Sequence, residues 1–402
     1  MLRRNFIQTL LGLALALGLK GKAQATQARG KKPLPRLGAK TGVALVGIPT
    51  SANKQEIEEA VRDVALEASD FSWLKKGDGV FLKPVVNSAN PYPATTSPLA
   101  ITAMVKLLKQ RGAGKVFLGD MSGIGHVKLT PDGVSRGSSR KIMAACGISG
   151  PAQEAGASLH FFEEAGWKGF DPFFPPPGSH WKGPLWMPKI LEEVDHIILL
   201  PRCGRHALAG SSLGLKAVVG YLRFDNRLEL HRDAASFHEK IAEANWVAPL
   251  IQKQRLVLTL ADRVLSTFGP DRGYVCRPDP GLVMASESIV AHDMMSLAWL
   301  SQNWLATPRA ERDHWFEDPN QSPLIVDISN RVATGLIGGM GAGMKSESLK
   351  RADLQVIRQD PTLIRAFELM EEVPNIQINL LNNSLNSAIL AQLTQLTRFE
   401  QD

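Results

Sequence analysis

Short apolar runs alternate along the chain with segments whose apolar residues recur at helical spacing. TGVALVGIPT, GDGVFLKPVVN, KVFLGD, HIILLP, RLVLTLADRV and GLVMAS each carry an apolar run of strand length, rich in β-branched residues, as expected of strands buried on both faces. Glu56–Asp70 places Ile57, Val61, Val64 and Ala68 on one face of a helix. A second helix spans Leu99–Gln110, with Ser97 as its cap, Pro98 at its first position and Gly112 just past its end. Strand, helix, strand at this spacing is a βαβ crossover, which implies parallel pairing. Further helices are predicted at Ser138–Ala145, Phe237–Leu250, Leu324–Thr334 and around His292 and Asp293, and a further strand in SLHFF. Gly166–Pro188, crowded with Pro, Gly and aromatic residues, reads as an irregular flap. The expected fold is α/β: a mixed, mostly parallel sheet flanked by helices, in one large domain over residues 41–360. A polar, helical C-terminal tail follows over residues 361–402.

Charge changes the picture at the N-terminus only. The formal charge of +7 suggests nucleic acid, but nine basic residues and no acidic ones fall within residues 1–40. Setting them aside leaves 37 basic against 39 acidic residues, so no nucleic-acid partner is expected of the folded part. Residues 1–25 combine Arg3-Arg4, Phe6 and Ile7, an apolar run to Leu19, and Ala23-Gln24-Ala25, a pattern similar to a twin-arginine export signal. The run is short for a membrane span, so the twin-arginine translocation machinery is an expected partner and the location extracytoplasmic. The protein is an integral membrane protein only if that signal is retained. Residues 26–40 read as a disordered tether. Cys146, Cys203 and Cys276 show no C-x-x-C spacing, which argues against an iron–sulfur cluster; no other cofactor can be named. GLIGGMGAGMK lacks the preceding buried strand of a dinucleotide fingerprint.

The candidate chemistry gathers in Val194–Arg232. HIILLP is a buried strand stopped by Pro201, and after it come Arg202, Arg205, His206, Lys216, Arg223, Arg227, His231 and Arg232, interleaved with Gly204, Gly210, Gly214 and Gly220. Ligands of open α/β sheets collect beyond the carboxyl ends of strands, so this segment is expected to form a pocket for an anion or a metal. Lys83, inside a buried strand, needs a partner or a task, and Asp120, His126, Asp262 and Asp293 also fall at strand ends or just beyond them.

Several segments resemble the family known as domain of unknown function 362. They are FLKPVVN, TTSPLAITAMVKLLKQRGA with KVFLGD, IILLPRCGRHALAGSSLGLKAVVGYL with Arg227 and His231, LADRVLSTFGPDRG, and ASESIVAHD. The resemblance spans about residues 75–360 and implies a mixed α/β domain, without an agreed activity. This chain departs from it where Val85 follows Lys83-Pro84, where Gly204 stands in place of a lysine, and where Ala217 stands in place of an asparagine. It also lacks the cysteine clusters of members with a fused ferredoxin module.

The function expected is that of an exported enzyme with a cationic, histidine-containing pocket for an anionic small molecule, with or without a metal. In this reading His206, His231, Lys83 and Asp262 are the catalytic candidates, and Arg205, Lys216, Arg227 and Asp120 the anion-site candidates. His206 or His231 serves as general base or metal ligand, Lys216 and Arg227 clamp the anion, and Asp262 or Asp293 orients a histidine. His206, Lys216 and His231 are expected to converge on one pocket. A non-catalytic periplasmic binding protein and an accessory protein for cofactor or metal delivery are the alternatives.

Overall fold

The computed structural model describes residues 41–399; residues 1–25 and 26–40, expected to be an export signal and a tether, lie outside the described residues. The apolar runs become the strands of one eight-stranded sheet: β1 (Gly42–Ile48), β2 (Gly79–Pro84), β3 (Lys115–Leu118), β4 (Ala157–Leu159), β5 (His196–Leu200), β6 (Gln254–Ala261), β7 (Gly281–Ser286) and β8 (Gln377–Leu380). Their order is β8-β1-β7-β6-β5-β2-β3-β4. The fold is α/β with a mixed sheet: β6, β5, β2, β3 and β4 pair in parallel, and β7 runs antiparallel between β1 and β6.

Helices cover both faces, which is why the strands read as continuous apolar runs. Side-chain alternation sends Val80 and Leu82 of β2 into a core with Ile57, Val61 and Val64 of α1 (Lys54–Ala68) and Ile101, Met104 and Leu108 of α2 (Pro98–Gln110). Phe81 points to the opposite layer, with Phe224 and Leu230 of α3 (Phe224–Arg232) and Phe237 and Ile241 of α4 (Phe237–Ala244). That side of the sheet also holds α5 (Ile289–Ala306), buried along nearly its whole length. α1 starts on a capping box between Asn53 and Glu56. Ser97 makes no cap hydrogen bond for α2, whose start rests on Pro98 at its first position.

Four segments differ from their sequence-based expectation. The flap contains an antiparallel pair, Phe170–Phe173 with Leu185–Pro188. The basic segment after β5 is ordered: a hairpin of Gly204–His206 with Gly210–Ser212, a 3-10 turn at Leu215–Gly220, then α3. The helix expected over Phe237–Leu250 breaks after Ala244 and resumes at Ala248–Lys253. The C-terminal tail is not wholly helical: α7 (Pro361–Met370) and α8 (Ser387–Thr397) flank β8, which adds to the sheet beside β1. Alternation in a four-residue edge strand is too short a signal to separate from a polar helix. No helix among the described residues is long and apolar enough to cross a membrane. All three cysteines are free.

Candidate active site

The carboxyl ends of β2, β3 and β5 point toward a cavity of about 390 Å³. Its walls include Lys83 and Asp120 from the strand ends, then His206, Lys216, Gly220, Arg227 and His231 from the segment after β5. The loop after β6 adds Phe268 to Asp271, and α6 (Pro323–Gly338) closes one side with Ser329, Ala333 and Leu336. His206, Lys216 and His231 thus meet on one cavity although 25 positions separate the first from the last. Two glycines make that return possible. Gly210 turns the hairpin at φ +74°, and at Gly220 a Cβ would lie 2.3 Å from Asp120 Oδ1 and 2.5 Å from Lys83 Nζ.

Most of the basic residues are already committed. Lys83 pairs with Asp120 at 2.8 Å and also donates to Pro84 O, while Asp120 accepts from the N–H groups of Val86 and Met121. That pair holds two strand ends together, and both residues remain in the cavity wall. Arg227, which also lines the cavity, donates to four carbonyls, those of Leu222, Ser122, Met121 and Gly220, and so ties α3 to the loop after β3. Arg205 is buried against Asp318 at 3.1 Å, away from the cavity lining. Asp262 accepts from Tyr92 OH at 2.6 Å and Asp293 from the N–H groups of Gly214 and Leu215; neither touches His206 or His231. Both positions followed buried strands or helix starts in sequence, but sequence order does not say which edge of the sheet a side chain faces.

Lys216 is the exception. Its ammonium has no hydrogen-bond or ion-pair partner among the described residues. Burial, with Arg202 and Arg227 nearby and Asp271 opposing them, pushes it down to about 7. Near neutral pH it therefore exists as both amine and ammonium. Beneath it, Arg202 is sealed from solvent with its Nε unpartnered, and desolvation lowers it to about 10, so its charge persists and adds to the positive potential.

The two histidines are held in opposite tautomers. Nδ1 of His206 accepts from the backbone N–H groups of Leu208 and Ala209, at 3.1 and 3.2 Å, so its neutral ring must carry the proton on Nε2. In His231 the roles reverse. Asn330 donates through Nδ2 to His231 O and Ser346 Oγ, which fixes its Oδ1 as acceptor for His231 Nδ1–H at 2.9 Å. Its Nε2 is left with a lone pair. Neither Nε2 has a partner among the described residues. Both rings stay neutral: burial and then the neighbouring cations hold His206 well below the usual range, and burial leads the shift of His231 to about 4. The sequence proposed either histidine as base or metal ligand; the hydrogen bonds make His206 a donor and leave that role to His231.

At the opposite wall Asp271 accepts from Asn87 Nδ2 and lies 3.2 Å from His126 Nε2. Among the described residues no three His, Cys, Asp or Glu side chains converge to hold a metal ion.

This chain belongs to the family described as Domain of unknown function (DUF362). The family pattern matches residues 80–298, from β2 into α5, and so contains every cavity wall except α6. No curated protein matches the chain. Among solved structures it is similar to the lactate racemase apoprotein from Thermoanaerobacterium thermosaccharolyticum, at 11% identity and a TM-score of 0.40, over 87% of this chain and 86% of that one.

Within this family member the sequence did not single out Asp271, Asn87 or Asn330. Asp271 lies in the STFGPDRG turn after β6, where a glycine turn at a strand end was visible but the direction of its carboxylate was not. Asn330 sits inside a helix with nothing in its spacing to mark it: it is fully buried and faces His231 from 99 positions away.

Proposed function

We propose that the protein is an acid–base enzyme that binds a small organic anion against Lys216 and moves a proton between that substrate and His231, after export by the twin-arginine route. Lys216 supplies a positive charge not neutralised by any partner, so an anionic ligand gains a charge-assisted hydrogen bond. His206 Nε2–H donates to the substrate oxygen on which negative charge gathers, and its low affinity for protons keeps it a neutral donor. His231 Nε2 holds the lone pair that accepts the proton. The observation that carries this reading is the pair of histidines locked in opposite tautomers beside an unpaired ammonium. That division into donor, acceptor and anion anchor is what proton transfer next to a carboxylate requires.

Deuterium uptake from D2O into a panel of small hydroxy- and oxo-carboxylates, read by NMR, tests it. At least one compound is expected to exchange, and His231→Gln to slow that exchange by roughly 100-fold or more. Anion binding without exchange in any compound would contradict the enzyme reading and favour a non-catalytic binding protein. Location is tested separately. Changing Arg3-Arg4 to Lys-Lys is expected to retain the precursor in the cytoplasm, and normal export of that variant would contradict the twin-arginine route.

A further inference from the structure

α6 is built differently from the other long helices. Its inner edge is buried through Val326, Asn330, Thr334 and Ile337, yet its outer face carries large apolar side chains at every fourth position. Leu324, Ile328, Val332 and Leu336 are all exposed, and Met340 (82% exposed) and Met344 continue the row through the short helix Met340–Met344. Four-residue spacing makes this one slowly turning stripe on the surface. A solvated helix face would carry charge here.

The stripe is continuous with the cavity. Leu336, half exposed, belongs to both, and Ser329 and Ala333 on its neighbouring edge line the wall. Inside, much of the cavity lining is apolar, with Met121, Ile124, Leu208, Val219 and Phe268. One cavity thus carries an unpaired ammonium and apolar walls, and at Leu336 it meets an apolar track on the outside.

We propose that the substrate is amphiphilic: an anionic head held at Lys216 and an apolar chain that leaves the cavity past Leu336 and lies along the outer face of α6. This deepens the function proposed above and rests on Lys216 as the anion-binding group. A short, fully polar anion would leave the apolar walls and the track unused.

The test is calorimetric titration with butanoate, hexanoate, octanoate and decanoate at about pH 6, where Lys216, at about 7, is charged. Affinity is expected to rise about fourfold for each added methylene that becomes buried. The Val332→Ser/Leu336→Ser variant, changed at exposed positions, is expected to lose most of the decanoate-to-butanoate ratio. Lys216→Met should weaken every member of the series. Equal affinity along the series, or an unchanged ratio in the double variant, overturns the amphiphilic substrate while leaving the anion site standing. Tight decanoate binding that ignores Lys216→Met also overturns it, because the chain would then bind without the head. Absence of binding by any carboxylate overturns the anion site itself.

Discussion

Lys216, partly buried, and Arg227, buried, are cations on the same cavity, yet their hydrogen bonds give them opposite roles. Replacing Lys216 by Met removes an unpaired charge. Its value in the folded protein lies below the ordinary lysine value, so between about pH 7 and that value the unfolded chain binds one more proton than the native state, and stability rises with pH there. The variant is therefore expected to melt higher than the parent below pH 7, with the gain fading as pH rises, while losing roughly 10- to 100-fold in carboxylate affinity. Thermal melts from pH 6 to 10 beside titrations with butanoate check both. Arg227→Met instead strands four carbonyls and should destabilise by about 3–5 kcal/mol, measurable by urea unfolding. Residue types and the strand before them made the cations legible in the sequence. Which of them is free was not, because that depends on carbonyls and carboxylates up to 113 positions away, as for Arg205 and Asp318.

The elements differ in how legible they are in the sequence, for physical reasons. β1, β2, β5, β6 and β7 are buried on both faces along most of their length, and such runs are hard to mistake. The segment after β5 was legible as a pocket but not as a hairpin, a 3-10 turn and α3, since its backbone is shaped by Arg227 and Asp293 bonding to main-chain groups rather than by periodicity. α6 was expected as a helix, but its part in the site was not, because only tertiary placement brings Asn330 to His231. Asn330 is a positioning residue, and it yields a prediction at this scale. Asn330→Asp places a carboxylate beside His231 Nδ1 and should raise its protonation midpoint from about 4 into or above the ordinary range. Asn330→Leu should leave the tautomer undetermined. Histidine titration by NMR distinguishes the two, and an unmoved midpoint in Asn330→Asp would show that Asn330 does not govern the ring.

For the whole molecule, burial of neutral histidines makes acid the weak side. His231 and His238 are held at about 4, His206 well below the usual range, and His160 and His196 are lowered as well, each with burial as the leading cause, so the unfolded chain takes up protons that the native state refuses as pH falls from about 6.5 to 4. Asp360 works in the opposite direction: raised by burial to about 6, it gains a proton in the native state over part of that range. Glu163 is also raised by burial, but the five histidines outnumber the two acids, so stability falls with falling pH by up to roughly 1.4 kcal/mol per pH unit for each net proton. Urea unfolding at pH 6.5, 5.5 and 4.5 should show that slope, and flat stability would show these histidines to be solvated.

The proposed chemistry depends most on the two ring tautomers. Selectively ¹⁵N-labelled histidine in the intact protein, observed through long-range proton–nitrogen couplings at pH 7, reads them directly. His206 is predicted to carry its proton on Nε2 and His231 on Nδ1, with both rings neutral. The same tautomer in both, or a charged His231, would contradict the division into donor and acceptor on which the proposed chemistry stands.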